Sequence, residues 1–143
     1  MQAPAPWTYL ATAEALDDEM AERITHHKAR RDGRWQTRDV PLELAGAIAQ
    51  QSGPLLIDCL TLWLSNVMLA GRDVEAASAD VVATLSAAAG PIVAVSNEVG
   101  LGLVPETPLG RAFRDAQGRL NQRVAAAADR VVFMAAGLPL NLK

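Results

Sequence analysis

Both histidines of the chain stand side by side in "ERITHHKARRDGRW", residues 22–35, where His26 and His27 are followed by Lys28, Arg30, Arg31 and Arg34, with Asp32 as the acid among them. A neutral imidazole can attack phosphorus and carry a phosphoryl or nucleotidyl group, and Lys28, Arg30 and Arg31 could neutralise the phosphates it receives. Helical phase separates the two rings. At about 100° per residue His27 falls within roughly 20° of Met20, on the inward stripe, whereas His26 falls about 120° away. The competing reading is a helix C-terminus carrying cations that suit its dipole, plus one partly buried histidine. Metal binding through the pair has little support, because adjacent helical residues point apart and no cysteine or further histidine completes a site.

A second candidate is Asp58, which closes the apolar run "PLLID". An acid at the carboxyl end of a central strand can hold Mg²⁺ bound to nucleotide phosphates. The alternative is a carboxylate that caps the following helix, with Thr61 nearby. "SNEVGLGLVPE" places Asn97 and Glu98 just past another strand, ahead of two glycines that permit a sharp turn. Such loops line ligand crevices, yet "GLG" is no phosphate loop, since no lysine and hydroxyl residue follow it. Further on, Arg114 and Asn121 share one side of a helix and Arg119 and Arg123 another, which reads as a solvated or subunit-contacting surface.

The elements that would position these groups alternate between strand and helix. "WTYLAT", residues 7–12, is aromatic and β-branched and reads as a strand. In "ALDDEMAERITHHKARR" Leu16, Met20 and Ile24 recur every four residues and acids precede bases, which reads as a helix. A polar link follows, then a short helix in "PLELAGAIAQQSG" and a buried strand in "PLLIDC", punctuated by Gly53-Pro54. "LTLWLSNVMLAG" and "DVEAASADVVATLSAAAG" read as helices, the second capped by Gly90, and "PIVAVSN" as a strand. Leu109, Phe113, Ala116, Leu120, Val124 and Ala127 mark one face of a long helix, and "RVVFMAAG" reads as a last buried strand. This order predicts a doubly wound α/β domain whose ligands bind beyond the carboxyl ends of its strands.

The totals narrow the function. At 143 residues the chain fits one domain, and half of it is hydrophobic with few aromatics, as in helices packed on a buried sheet. A net charge of −3 offers no global basic field, so nucleic acid is not an expected partner. Cys59, the single cysteine, lies in an apolar run and cannot form an internal disulfide, which suits a reducing, cytoplasmic setting. The apolar runs are too short to span a bilayer, and "MQAPAPW" lacks the features of a signal peptide.

Three blocks then point to one family. "YLATAEALDDEMAERITHHKARRDGRWQT", "LLIDCLTLWLSN" and "VSNEVGLGLVPETPLGRAFRDAQGRLNQRVAAAADRVVFMAAGLPLNLK" resemble the bifunctional adenosylcobinamide kinase / adenosylcobinamide-phosphate guanylyltransferase of cobalamin biosynthesis, from about Trp7 to Lys143. The resemblance implies a mostly parallel, P-loop (RecA-like) nucleotide-binding fold. It implies phosphorylation of the adenosylcobinamide hydroxyl with ATP or GTP, then transfer of GMP from GTP through a histidine to the phosphorylated product, in a homo-oligomer such as a trimer. The family's histidine lies three residues after the isoleucine of its "RI..H" pattern, which here runs from Ile24 to His27. By the same resemblance Ala11, Thr12 and Ala13 match a nucleotide-contacting strand end, and Lys28, Ala29, Arg30 and Arg31 match the segment beside the histidine. Asp39 stands where the family usually has a glutamate after "W.T", and Asp58 is the strand-end acid toward Mg²⁺.

Relatives open with a strand, a GxxxxGKS loop and a helix ahead of "YLAT", and no such motif occurs in these 143 residues. The expectation is a single nucleotide-binding domain, residues 1–143, that lacks these first elements because the recorded start lies downstream of the true one. Phosphoryl transfer should suffer, since even one lost donor in other enzymes costs roughly 3 to 4 kcal/mol. The alternative function is an inactive family member that serves only as a binding or oligomerisation module.

Overall fold

The computed structural model describes residues 3–15, 18–29 and 31–143, without the side chains of Met20, Arg23, His27 and Lys28. Its centre is a parallel sheet in the order β2-β1-β3-β4, formed by β1 (Trp7–Ala11), β2 (Trp35–Asp39), β3 (Leu55–Asp58) and β4 (Ile92–Val95). β3 and β4 occupy the two apolar runs that Gly-Pro pairs introduce. Leu10, Leu55 and Ile57 point into the core from one face. Against them pack α2 (Leu44–Ala49), α3 (Leu60–Leu69), α4 (Val74–Ala87) and α5 (Pro108–Ala127), through Ile48, Trp63, Val81 and Leu120 among others. The opposite face carries Trp7, Tyr9 and Asp58, with Val93 and Val95 exposed.

The helix ends follow local chemistry. Thr107 accepts a hydrogen bond from the Gly110 amide at 3.0 Å, with Pro108 in the first turn, and Asp73 accepts from the amides of Glu75 and Ala76. Cys59 caps α3, its Sγ taking the Leu62 amide at 3.5 Å, so Asp58 is not the cap. The capping role read for Gly90 is also corrected. α4 stops at Ala87, and Gly90 serves a close backbone approach, because a Cβ there would lie 3.1 Å from the Gly53 carbonyl oxygen.

Two further expectations change. The "polar link" contains β2, an edge strand whose side chains after Trp35 are exposed. "RVVFMAAG" forms β5 (Val132–Ala135), which is mostly exposed and pairs antiparallel with β6 (Leu138–Asn141) outside the main sheet. Ala136 and Gly137 close this hairpin with φ of 51° and 76°, the left-handed pair that suits the twist of a two-residue turn. Lys143 fastens the hairpin to the end of α5 by donating to the carbonyls of Ala125, Ala126 and Ala128. Along α5, Ala116 and Leu120 are buried and Phe113 and Val124 half-buried, while Leu109 at one end of the stripe and Ala127 at the other are exposed. Among the described residues no helix is long and apolar enough to cross a membrane.

Candidate active site

Strand register sets the site. Ala11 pairs with Asp39 on one side and Asp58 on the other, so two carboxylates stand in one row at the carboxyl ends of β2 and β3, on the same face. Strands spaced about 4.8 Å apart put the two acids roughly 10 Å from each other, with only a methyl group between them. That gap lies where open parallel sheets take their ligands. Asp39 is exposed, Asp58 and Ala13 half-buried, and Ala29 is exposed at the end of α1 (Asp18–Ala29).

Thr12 faces the other way. It is fully buried, donates to the Cys59 carbonyl at 2.7 Å and accepts the Cys59 amide at 2.8 Å. Asn66 adds bonds to the carbonyls of Thr12 at 2.8 Å and Pro41 at 3.1 Å. The Thr12 hydroxyl is thus committed to joining the ends of β1 and β3. The loop after β4 is held in a similar manner from α5. Gln117, fully buried, donates to Ser96 and Asn121, and Asn121 donates to the Asn97 carbonyl at 3.1 Å. Arg114 donates to the carbonyls of Gly100 and Leu103, so the Arg114/Asn121 side of the helix clamps this loop. Arg123 pairs with Glu75. Glu98 folds back onto the Gly100 amide at 2.6 Å.

The basic segment meets the strand ends through a residue that sequence reading left unassigned. Arg31 lays its guanidinium over the Tyr9 ring, 3.8 Å from the centroid, and the Tyr9 hydroxyl donates to Asp58 Oδ2 at 2.5 Å. Trp35 packs edge-on against Tyr9 at 6.0 Å and against Trp7 at 5.0 Å. Of the histidines, His26 is exposed on α1, while the side chains of His27 and Lys28, and all of Arg30, lie outside the described residues. Leu16 and the Met20 side chain do too, and Ile24 is half-buried. A surface depression of about 480 Å³ is lined by Ala21, Glu22, Thr25 and His26, with no group from the strand ends.

Burial, and next the bond to Asp58, push the Tyr9 phenol well above its ordinary value, while the nearby Arg31 cation pulls the other way. Tyr9 is the chain's single tyrosine, so phenolate absorbance reports it alone. In metal-free buffer the folded chain should show no rise near pH 10, where the urea-unfolded chain titrates. The unfolded state then loses its proton first. The stability that the neutral phenol contributes is complete below about pH 10 and falls as pH climbs further, which denaturant midpoints would record. Burial likewise raises the Cys59 thiol, leaving a neutral, inert sulfur beside Asp58.

Asp58 Oδ2 is occupied by Tyr9, and Oδ1 has no protein partner among the described residues. No group of three or more ligating side chains occurs among them. One carboxylate with open capacity fits Mg²⁺ carried on nucleotide phosphates, which supply most of its ligands, and does not fit a closed protein cage.

The sequence profile of the cobinamide kinase / cobinamide phosphate guanyltransferase family matches residues 1–142. The chain belongs to this family. A bifunctional adenosylcobalamin biosynthesis protein, CobP, of Pseudomonas aeruginosa is 43% identical, over 95% of this chain and 82% of its own length. Similarly named CobU proteins of Salmonella typhimurium and Escherichia coli are 39% and 35% identical, each over 94% of this chain and 84% of their own length. In this family member Ala11, the Tyr9–Asp58 bond and the clamped loop after β4 lie on the three stretches that carry the family resemblance, and Asp39 stands two residues past the end of the first. Sequence reading missed Tyr9 and Gln117 because each sits where an apolar side chain would serve packing equally well. The cue for Tyr9 was a hydroxyl placed two residues before a strand end, beside an acid-terminated partner strand.

Proposed function

We propose that this chain is a transferase of cobalamin nucleotide-loop assembly, and that it moves GMP from GTP to adenosylcobinamide phosphate through His27. The observation that carries this reading is the row Asp39–Ala11–Asp58 at the carboxyl ends of three neighbouring strands, with the Arg31 cation stacked on Tyr9 of the central one. A His27 nitrogen attacks the α-phosphorus of GTP, the bond to the bridging oxygen breaks, and pyrophosphate leaves with the electron pair. A phosphate oxygen of adenosylcobinamide phosphate then attacks the same phosphorus and frees the imidazole. Lys28, Arg30 and Arg31 balance phosphate charge, and Asp39 and Asp58 orient the nucleotide from either side of Ala11. Mg²⁺, when bound at Asp58 with the triphosphate, neutralises further phosphate charge. The companion activity we propose is phosphorylation of adenosylcobinamide with ATP or GTP, and the family's description as a cobinamide kinase supports it.

GTP labelled at the α-phosphate should mark the protein, and label at the γ-phosphate should not. A chase with adenosylcobinamide phosphate should remove the mark and build labelled product. Absence of any α-label under conditions where GTP binds would overturn the covalent route and favour the binding-module alternative.

The same reading extends to assembly and place. Leu138 and Leu140 share one face of the hairpin and are 70% and 55% exposed, apolar side chains of the kind a partner subunit covers. We therefore assign a homo-oligomer, with a trimer as the form the family resemblance favours, working in the cytoplasm without nucleic acid. Sedimentation equilibrium should give a mass that is a multiple of 15.2 kDa. Leu138→Lys with Leu140→Lys should shift it to one subunit, and an unchanged multiple would reject the hairpin as the contact.

A further inference from the structure

We propose that Tyr9 is a positioning residue for the bound triphosphate: its hydroxyl fixes the Asp58 carboxylate and its ring carries the Arg31 guanidinium. This rests on the guanylyl-transfer reading above. Tyr9 is buried between Arg31 and Trp35 and bridges two groups from distant parts of the chain. No ion pair joins Arg31 directly to Asp58 among the described residues. Direct pairing would have spent both charges on each other. With the phenol between them each keeps capacity for a ligand: among the described residues Asp58 retains Oδ1, and the Arg31 guanidinium forms no ion pair. A guanidinium stacked on a ring keeps its donors in one plane, and a carboxylate held at one oxygen keeps its other oxygen in one direction. Tyr9 therefore sets the angle at which cation and carboxylate meet the same phosphates.

The two functions of the side chain separate by substitution. Calorimetric titration of the full chain with GTP, with and without Mg²⁺, reads both. Tyr9→Phe keeps the ring and loses the hydroxyl: Mg²⁺-free affinity should stay within about twofold, while the gain conferred by Mg²⁺ should fall about tenfold, as for one lost hydrogen bond to a charged group. Tyr9→Leu should in addition lower Mg²⁺-free affinity about fivefold, because Arg31 loses its platform. Asp58→Asn should remove the Mg²⁺ gain, and adding Tyr9→Phe to it should change nothing more. A merely structural role would give additive losses in that cycle. An intact Mg²⁺ gain in Tyr9→Phe, or full additivity with Asp58→Asn, overturns the proposal. Should the Tyr9 variants fail to fold, Arg31→Lys decides. Charge is kept but the planar stack is lost, so Mg²⁺-free affinity should drop about fivefold with the Mg²⁺ gain intact, and unchanged affinity counts against the proposal. Failure of the wild-type chain to bind GTP at all would instead overturn the functional reading, and this inference with it.

Discussion

His27→Ala should abolish covalent guanylylation, lowering label from α-labelled GTP by at least about 10³-fold, since without the nucleophile there is no phosphoramidate to form. His26→Ala should label within about threefold of wild type. Successive helical positions differ by about 100°, and His26 is exposed and lines a surface depression with Ala21, Glu22 and Thr25. The contrast between neighbours separates a nucleophile from a general loss of positive charge, because either substitution removes one imidazole from the same basic run. Folding is controlled by His27→Asn, which keeps a polar side chain of similar reach. Its melting midpoint should match wild type while its label stays at background. Label retained by His27→Ala would reject the assignment.

The largest effect on stability is expected at Trp63. Its side chain is 1% exposed, sits in the core of α3, and donates its indole N–H to the Leu42 carbonyl at 2.9 Å. Trp63→Ala removes the largest fully buried side chain and strips that carbonyl of its donor. Large-to-small changes of this kind cost roughly 3 to 5 kcal/mol, a big share of the 5 to 15 kcal/mol typical of a domain. At about 3 °C per kcal/mol the midpoint should fall by about 10 to 15 °C. Trp63→Phe refills much of the space and should cost about half as much. A drop under about 3 °C for the alanine variant would mean that the α3 core does not bear the load described here.

Much of this architecture was legible because burial leaves a strong pattern. β3 and β4 are short apolar runs behind Gly-Pro breaks, and α5 announces itself by an apolar stripe that begins just after a threonine and a proline. Weak patterns failed. "WQTRD" is an edge strand with exposed side chains beyond its tryptophan, so no alternation with a buried face marked it. "RVVFMAAG" failed in the other direction. Its hydrophobicity matches a central strand, yet it is folded into an exposed hairpin, and composition alone cannot tell a buried apolar strand from one that awaits a neighbour. At the site, the strand-end position of Asp58 followed from its run, whereas the alignment of Asp39 with Ala11 depended on β2 and was not visible before the register was known. Tyr9 was read only as a strand former, because aromatic residues in strands most often serve packing.

The central claim is that an imidazole of α1 becomes bonded to the α-phosphorus of GTP, and its most direct test is to find the adduct. After brief incubation with GTP and Mg²⁺, quenching at alkaline pH and digestion, peptide mass spectrometry should place the added mass of one GMP on His27. The same peptide from a sample chased with adenosylcobinamide phosphate should be unmodified. An adduct on a lysine or on His26, or a chain that builds the guanylylated product with no adduct on any residue, would contradict the account.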